Sequence, residues 1–270
     1  MIKIGVIGFG RMGKEIIKEA VGAGMKIVAV VDASESPQMG KDAGVLSGID
    51  KLDVFVSSAE ELASTLEKTK PDVVIDFSSI AATVKNSKTV SDKKINLVIG
   101  TTGLSEKELA EIKDSIKKNN TGAVISPNMS VGVNVFWKLV ESAAKKLSDY
   151  DIEIIEKHHR FKKDAPSGTA LKTAQIIADA IEIDLKEKGV YGRKGLKERA
   201  KGEIGIHAIR AGDIVGEHTV IFSTLGETIE LTHKAHSRSV FTKGVIKAAE
   251  YVKGKKGVYG MDDVLNLKQN

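Results

Sequence analysis

The hydrophobic positions in the first half of the chain form short apolar runs separated by amphipathic stretches. The apolar runs predict strands at Ile2–Ile7, Lys26–Val31, Leu52–Val56, Val73–Phe77, Leu97–Ile99 and Ala123–Ile125. The stretches between them predict helices at Arg11–Val21, Ala59–Lys68, Ala81–Val90 and Glu106–Lys117. Strands that alternate with helices indicate an α/β fold with a parallel sheet. The strands are continuously apolar, as in a sheet covered on both faces.

The pattern changes after about Pro127. Helical spacing predicts helices at Val131–Lys146, Gly168–Ile181 and Thr242–Val252, and an apolar run predicts a strand at Ile152–Glu156. Three later segments are joined by glycine-containing turns and predict neighbouring antiparallel strands: Gly202–Arg210, His218–Ser223 and Glu227–Thr232. We therefore expect a second, α+β domain with an open mixed or antiparallel sheet.

Composition and charge exclude several classes of function. The chain has no cysteine, so disulfides, cysteine-ligated metals and thiol nucleophiles are excluded. The net charge of +5 comes from Lys and Glu residues spread along helices, without the aromatic and basic stripe typical of nucleic-acid binding. No apolar run is long enough for a membrane span, and the chain begins with a strand pattern where a secretory signal would lie. We expect a cytoplasmic protein with no nucleic-acid or membrane partner.

The segment Gly8-Phe9-Gly10-Arg11-Met12-Gly13 has the G-x-G-x-x-G spacing between a predicted strand and a predicted helix. Asp32 ends the next strand, which completes the fingerprint of a dinucleotide site. Gly8 permits the turn, Gly10 allows the backbone to approach a pyrophosphate, and Gly13 allows the helix to lie close to the strand. The helix N-terminus offers N–H groups to the phosphates.

Asp32 bears on the choice of cofactor. A carboxylate at the end of the second strand accepts hydrogen bonds from the adenosine ribose, although an aspartate in an ordinary turn fits the same position. It disfavours a 2′-phosphate, and Ala33 follows it where a compensating arginine would stand. We expect NADH or NADPH as the cofactor, with NADH binding at least as well.

Two further segments follow predicted strands at the edge where α/β sheets bind ligands. They are Gly100-Thr101-Thr102-Gly103 and Ser126-Pro127-Asn128-Met129. Their small and hydroxyl residues suit the nicotinamide half of a dinucleotide, but turn chemistry explains them equally well.

Residues 156–170 are the densest polar segment and lie between a predicted strand and a predicted helix. Ser167 is a predicted N-cap, so the N–H groups of Gly168 and Thr169 would form an anion site. His158 and Lys162 are candidate general acids, because histidine titrates near neutrality and a lysine among cations releases its proton more readily. Cations beside a helix N-terminus suit a dicarboxylate. A solvated basic loop is the alternative interpretation.

The other polar residues of the second half are expected to be structural or on the surface. Adjacent histidines such as His158 and His159 point in different directions in an extended segment, so we predict no metal site. Arg210 and Asp213 flank a turn and are predicted to form a local ion pair. The remaining histidines lie in or near strand patterns: His207, His218, His233 and His236.

Several of these segments resemble the signature segments of the 4-hydroxy-tetrahydrodipicolinate reductase family, also called dihydrodipicolinate reductases. The segment around His158-His159 is the most specific, whereas the glycine fingerprint occurs in many families. The resemblance extends from residue 2 to about residue 265. It is carried by residues 8–13, 100–103, 128–134, 153–170 and 210–218.

The resemblance implies a Rossmann-like dinucleotide-binding domain over residues 1–127 and 240–270. It implies that residues 128–239 bind a small cyclic dicarboxylate and build a homotetramer. The implied reaction is reduction of 4-hydroxy-tetrahydrodipicolinate to tetrahydrodipicolinate, with loss of water, in the diaminopimelate route of lysine biosynthesis.

The resemblance also implies roles for individual residues. His158 and Lys162 would donate protons, and His159 with the backbone of Gly168 and Thr169 would bind the substrate carboxylates. The implied cofactor contacts are Gly8, Phe9, Gly10, Arg11, Met12, Gly13, Asp32, Gly100, Thr101, Thr102, Ser126, Pro127, Asn128 and Met129.

Two other functions fit a two-domain dinucleotide-binding protein. Sugar and inositol dehydrogenases usually carry Glu-Lys-Pro after a mid-sheet strand, and none of the four prolines here follows Glu-Lys. A non-enzymatic NADH sensor would need a DNA-binding or partner-binding element, and no helix-turn-helix signal is evident.

Overall fold

The computed structural model describes residues 1–268, which separate into two compact units. The first unit comprises Met1–Val131 and the segment that begins at Ser239, and the second comprises Gly132–Arg238. Which unit binds nucleotide, and which binds substrate and mediates assembly, stays a prediction.

Parallel strands flanked by helices form the first unit. Its strands are β1 (Lys3–Ile7), β2 (Lys26–Asp32), β3 (Val56–Ser58), β4 (Val73–Asp76), β5 (Asn96–Ile99), β6 (Gly122–Ile125) and β12 (Gly257–Tyr259). Its helices are α1 (Arg11–Gly22), α2 (Ala43–Leu46), α3 (Leu62–Thr69), α4 (Ile80–Asp92), α5 (Glu106–Asn119), α9 (Ser239–Val252) and α10 (Met261–Val264).

The strand order of the first unit is that of a doubly wound dinucleotide fold. Within residues 1–268 its sheet has seven parallel strands in the order β12-β6-β5-β4-β1-β2-β3. The direction of winding reverses between β1 and β4, and ligands bind such sheets at the carboxyl ends of the strands beside this reversal.

Both faces of the sheet are covered, which explains the continuously apolar strands. Alternate residues of β1 enter different cores, with Ile4 and Val6 on the face packed by α1 and α9. Ile7 lies in the other core, together with Ile112 and Ile116 of α5. Strand residues whose side chains pack in these cores are therefore mostly apolar.

The second unit contains a mixed sheet. Its strands are β7 (Asp151–His158), β8 (Gly189–Tyr191), β9 (Ile204–Arg210), β10 (Gly216–Thr224) and β11 (Glu227–Ala235). Its helices are α6 (Val131–Lys146), α7 (Gly168–Ala180) and α8 (Leu185–Lys188). Alternate residues of β7 and β10, such as Ile154 and Phe222, pack in one core with Trp137 and Ile177. The predicted fold class is confirmed.

One expectation about this sheet is wrong. Of the three strands predicted to be neighbours, β10 and β11 are adjacent and antiparallel as expected, but β7 separates β9 from β10, because the order is β11-β10-β7-β9-β8 within the described chain. Strand β9 runs parallel to β7 and β10 runs antiparallel to it. The connection 211–215 passes over the end of β7, where Ala211 N–H donates to His158 O at 3.0 Å. A connection of this length readily spans two inter-strand spacings of about 4.8 Å each.

Short elements account for the other differences. The strand predicted over Leu52–Val56 begins only at Val56, since Leu52 N–H donates to the Asp42 carboxylate at 3.2 Å. Strands β8 and β12 were not predicted, because three residues give no readable periodicity. No helix in the described part of the chain combines the length and apolar character that crossing a bilayer requires.

Asn96 ties the C-terminal segment to the first sheet. Its buried amide Nδ2 donates to Val252 O at 2.5 Å and to Lys255 O at 3.1 Å, and its Oδ1 accepts from Gly122 N–H at 2.9 Å. We predict that Asn96→Ala lowers the free energy of unfolding by about 2 kcal/mol, because buried backbone groups lose their partners. Denaturant unfolding followed by circular dichroism measures this.

Asn119→Ala is the matched control. The Asn119 amide donates to Asp92 Oδ1 at 2.8 Å on the surface, where water replaces it. Equal destabilisation by the two substitutions would contradict the role assigned to Asn96.

Candidate active site

The loop between β1 and α1 packs backbone against backbone. Gly8 has a φ of +89°, and a Cβ there would lie 2.6 Å from Phe77 O at the end of β4. A Cβ on Gly13 would lie 2.2 Å from Gly8 O, so α1 lies against the loop. A Cβ on Gly10 would meet nothing within 4 Å. The structure thus gives Gly8 and Gly13 packing roles and leaves open space at Gly10.

The N-terminus of α1 and Asp32 fit a dinucleotide. Gly10 is the N-cap of α1 and provides no side-chain cap, so no cap side chain competes for the N–H groups of the first turn. Asp32 Oδ1 accepts from Phe9 N–H at 3.3 Å, which holds the carboxylate beside the glycine loop. These groups match what a pyrophosphate and a ribose require.

A cavity of about 340 Å³ in the first unit brings together many of the predicted cofactor residues. Phe77, Ser78 and Phe241 also line this cavity and were not predicted from the sequence. Phe77 and Ser78 directly follow β4, beside the point where the winding direction reverses. This position could have predicted them, because ligands bind such sheets at this edge. The predicted residues in the lining are Met12, Gly100, Thr101, Thr102, Ser126, Pro127, Asn128 and Met129.

Gly100 has a packing role at this cavity. A Cβ on Gly100 would lie 2.0 Å from the Phe77 ring, so the glycine makes room for that ring. A protein contact therefore requires glycine at this position, and the contact of Gly100 with the cofactor stays a prediction.

A hydrogen-bond network around the buried Asp76 carboxylate reaches the lining of the same cavity. Asp76 is fully buried and accepts from Ser78 N–H at 2.9 Å, Ser78 Oγ at 2.6 Å and Asn86 Nδ2 at 3.0 Å. Burial raises the pKa of Asp76, although these hydrogen bonds act in the opposite direction. Thr83 links the network to the cavity, because its hydroxyl lies 2.7 Å from Thr101 Oγ1. The loops after β4 and β5 are therefore held together.

In the second unit the polar cluster is organised by Glu156, whose side chain is fully buried. Glu156 Oε1 accepts from Arg210 Nη2 at 2.7 Å and from Ser167 N–H at 2.9 Å. Oε2 accepts from Arg210 Nη1 at 2.8 Å and lies 2.6 Å from His158 Nδ1. Burial raises the pKa of Glu156, but the hydrogen bonds from His158, Arg210 and Ser167 outweigh it and lower the pKa to about 2.

The sheet register explains why these residues meet. Glu156 and His158 are two residues apart on β7 and therefore point to the same face. Arg210 on β9 is the register partner of His158, and His218 on β10 is the register partner of Glu156. The cluster is thus built on three adjacent strands.

His218 joins the cluster from β10. Its ring is nearly perpendicular to that of His158, with 5.3 Å between centroids, and its Nε2 lies 3.1 Å from Ser167 Oγ. Burial lowers the pKa of His218 to about 3, and the charge of His158 acts in the same direction. His218 is therefore neutral at physiological pH.

Ser167 begins α7, as predicted. Its Oγ accepts from Ala170 N–H at 3.2 Å, which makes it the N-cap. A Cβ on Gly168 would meet nothing within 4 Å, so the start of the helix faces open space. The N–H of Gly168 has no acceptor inside the helix.

Lys162 and His159 lie on the loop that follows β7. Lys162 Nζ donates to Asp164 Oδ1 at 2.7 Å, and this hydrogen bond lowers the pKa of Asp164. Lys162, which the sequence places among cations, thus has a carboxylate as its hydrogen-bond partner. His159 Nδ1 is buried and has no hydrogen-bond partner among residues 1–268.

One expectation about this cluster is corrected. Arg210 pairs with Glu156 and also donates to Asp164 O at 2.6 Å, where a pair with Asp213 was predicted. His218, expected to be structural or on the surface, is buried within the cluster. Glu156 could have been predicted as a site residue from the sequence. The alternation of the strand places a charge at an inward position, in line with Ile152 and Ile154.

The fold and the glycine loop are those of the dinucleotide-binding class of proteins, here with a second, sheet-containing unit. Family models match the chain over most of its length. The model for the N-terminus of dihydrodipicolinate reductase matches residues 2–129, and the model for its C-terminus matches residues 132–265.

Individual proteins give the same result. The chain is 52% identical to the 4-hydroxy-tetrahydrodipicolinate reductase of Methanocaldococcus jannaschii, over 100% of this chain and 99% of that protein. It is similar to the dipicolinate-bound dihydrodipicolinate reductase from Paenisporosarcina sp. TG-14, with a TM-score of 0.77, 27% identity and coverage of 97% and 99% of the two chains.

A third protein shares only the fold. The myo-inositol dehydrogenase from Lactobacillus casei has a TM-score of 0.63 at 13% identity, over 98% of this chain and 90% of that one.

The chain belongs to the dihydrodipicolinate reductase family. The predictions of family, of an oxidoreductase and of NADH or NADPH as the cofactor are confirmed. The roles of the individual site residues stay predictions.

The two glycines of the fingerprint allow a matched test of packing. We predict that Gly13→Ala lowers the free energy of unfolding by about 1–3 kcal/mol, because the new methyl group forces α1 away from Gly8. Gly10→Ala should leave the free energy of unfolding almost unchanged, because nothing lies within 4 Å of its Cβ position. Denaturant unfolding of both variants measures the difference, and equal values would contradict the packing described here.

Proposed function

We propose that this chain reduces 4-hydroxy-tetrahydrodipicolinate to tetrahydrodipicolinate and water with NADH or NADPH, in the diaminopimelate route of lysine biosynthesis. The observation that carries the proposal is the cluster of the second unit. It combines His158, buried against Glu156, with the exposed start of α7 in a chain that matches the family along its length.

The first unit is proposed to hold the cofactor, which supplies a hydride when bound. The space at Gly10 and the first turn of α1 would receive the pyrophosphate, and Asp32 the adenosine ribose. The cavity at Gly100–Thr102 and Ser126–Met129 would receive the nicotinamide half. Because Asp32 is a carboxylate and Ala33 follows it, we propose that NADH binds at least as well as NADPH.

The second unit is proposed to bind the cyclic dicarboxylate. One carboxylate would accept hydrogen bonds from the Gly168 and Thr169 backbone at the start of α7, with His159 as a further donor. Lys162 would contribute a positive charge and a proton.

The proposed chemistry balances with these groups. The substrate loses its hydroxyl group and a hydrogen of the neighbouring ring carbon as water, and the ring carbon that becomes conjugated accepts the hydride. The enamine that results takes up one proton, which His158 or Lys162 would donate. Restoring that proton from solvent completes the cycle.

We further propose that the enzyme is a homotetramer and that it works in the cytoplasm. The outer face of the mixed sheet presents Ile155, Ile209 and Ile221, which are only partly buried or exposed. A sheet face of this kind gains stability when another copy covers it. Analytical ultracentrifugation is expected to show a tetramer, and a monomer at micromolar concentration would contradict this assembly.

The activity is tested by oxidation of reduced nicotinamide cofactor in the presence of the product of the upstream lysine-pathway synthase. We predict turnover by the wild type and a loss of at least about a hundredfold in kcat for both His158→Gln and Lys162→Ala. NADH binding should persist in both variants.

Two controls accompany this experiment. Lys163→Ala removes an exposed neighbouring cation and should leave turnover within about twofold. Gly10→Ala should weaken NADH binding while leaving the second unit intact. Tight NADH binding by the wild type without turnover would overturn the proposed reaction and direct the search to polyol substrates or to a sensor function.

A further inference from the structure

We infer that Glu156 is a positioning residue that fixes the tautomer of His158 and stabilises its protonated form, so that Nε2 is the atom that donates the catalytic proton. The inference rests on the proposed function, because it assigns His158 the role of acid. Glu156 itself is buried and hydrogen-bonds to protein groups, namely His158, Ser167 and Arg210.

The hydrogen-bond pattern determines which nitrogen of His158 carries hydrogen. An ionised carboxylate can only accept hydrogen bonds, and the Arg210 guanidinium keeps Glu156 ionised. His158 Nδ1, 2.6 Å from Glu156 Oε2, must therefore carry a hydrogen atom. In the neutral ring Nε2 is then the unprotonated nitrogen, and it is the one that gains and releases the proton.

The space around Nε2 is consistent with this role. A Cβ on Gly216 would lie 3.0 Å from His158 Nε2, so the glycine at the start of β10 leaves this nitrogen uncrowded. The His158 side chain is 12% exposed, so it is largely but not completely removed from solvent.

The charges that face His158 balance each other. Glu156 favours the imidazolium, whereas Arg210 shares the same carboxylate and moderates that effect. Lys162 on the following loop is paired with Asp164. His218 on β10 and His233 on β11 add no positive charge, because burial lowers the pKa of each. Glu156 is thus the anionic group in direct contact with the His158 ring.

The same carboxylate connects the acid to the proposed substrate anchor. Oε1 accepts from the backbone N–H of Ser167, the N-cap of α7. Arg210, held by Glu156, also donates to Asp164 O at 2.6 Å in the loop that carries Lys162. One buried anion therefore sets the positions of His158, the start of α7 and this loop.

The test compares pH profiles of kcat/KM for the wild type, Glu156→Gln and Glu156→Asp. Glu156→Gln keeps the shape but removes the charge, so the imidazolium loses its stabilising partner. We expect kcat/KM at neutral pH to fall at least about tenfold and the alkaline limb to move about one pH unit or more to lower pH. Glu156→Asp should restore the position of the limb in part, and NADH affinity should not change.

Glu153→Gln is the matched control on the same strand. Glu153 points to the opposite face of β7, where its Oε2 lies 2.6 Å from His207 Nε2. The substitution removes the same kind of carboxylate–histidine contact outside the cluster, so the alkaline limb should stay in place. A shift equal to that of Glu156→Gln would overturn the inference, as would a slower Glu156→Gln enzyme with an unmoved limb.

A measurement on the wild type tests the tautomer without depending on how a variant folds. The ¹⁵N chemical shifts of His158 in the neutral state should show hydrogen on Nδ1 and an unprotonated Nε2. The opposite tautomer would overturn the inference. A wild-type enzyme that shows no turnover contradicts the proposed reaction, whereas an active enzyme with the opposite tautomer contradicts only the role of Glu156.

Discussion

The burial of the Glu156 carboxylate is the constraint on which the second unit depends. A carboxylate removed from water is tolerated only when charged and polar donors surround it. Arg210 supplies a bidentate partner, and the Ser167 N–H and His158 supply the remaining hydrogen bonds. Removal of one partner from a buried pair of this kind typically costs about 3–5 kcal/mol. The geometry of the site and the stability of the unit therefore have a common cause.

The first unit relies on close backbone packing in place of a buried charge pair. Gly8 lies against the backbone of Phe77, and Gly13 lies against Gly8, so the loop between β1 and α1 cannot move far from the winding reversal. The rigid loop leaves space at Gly10, where a side chain meets no protein atom. Within one motif, Gly8 and Gly13 therefore have packing roles, whereas Gly10 leaves open space.

Local patterns predicted most of the fold, whereas the chemistry of the site depends on contacts between distant residues. The strands of the first unit were readable because each is an apolar run between helices. The position of β9 in its sheet could not be predicted, because a parallel pairing with β7 depends on residues about fifty positions away.

His158 and Lys162 were identified from residue type and context. Glu156 and Arg210 are 54 residues apart in sequence, and only the sheet register brings them together. Asp164 is only two positions from Lys162 in the sequence, but its orientation depends on the loop that Arg210 holds.

A crystal structure of the chain with NADH and dipicolinate tests most directly whether the buried Glu156 carboxylate aligns His158 with the start of α7, so that both act on one dicarboxylate. We expect one dicarboxylate oxygen on the Gly168 N–H, His158 Nε2 directed at the ligand, and Glu156 still bound to Arg210 and Ser167. Dipicolinate bound away from α7, or a Glu156 side chain turned from His158 towards solvent, would contradict it.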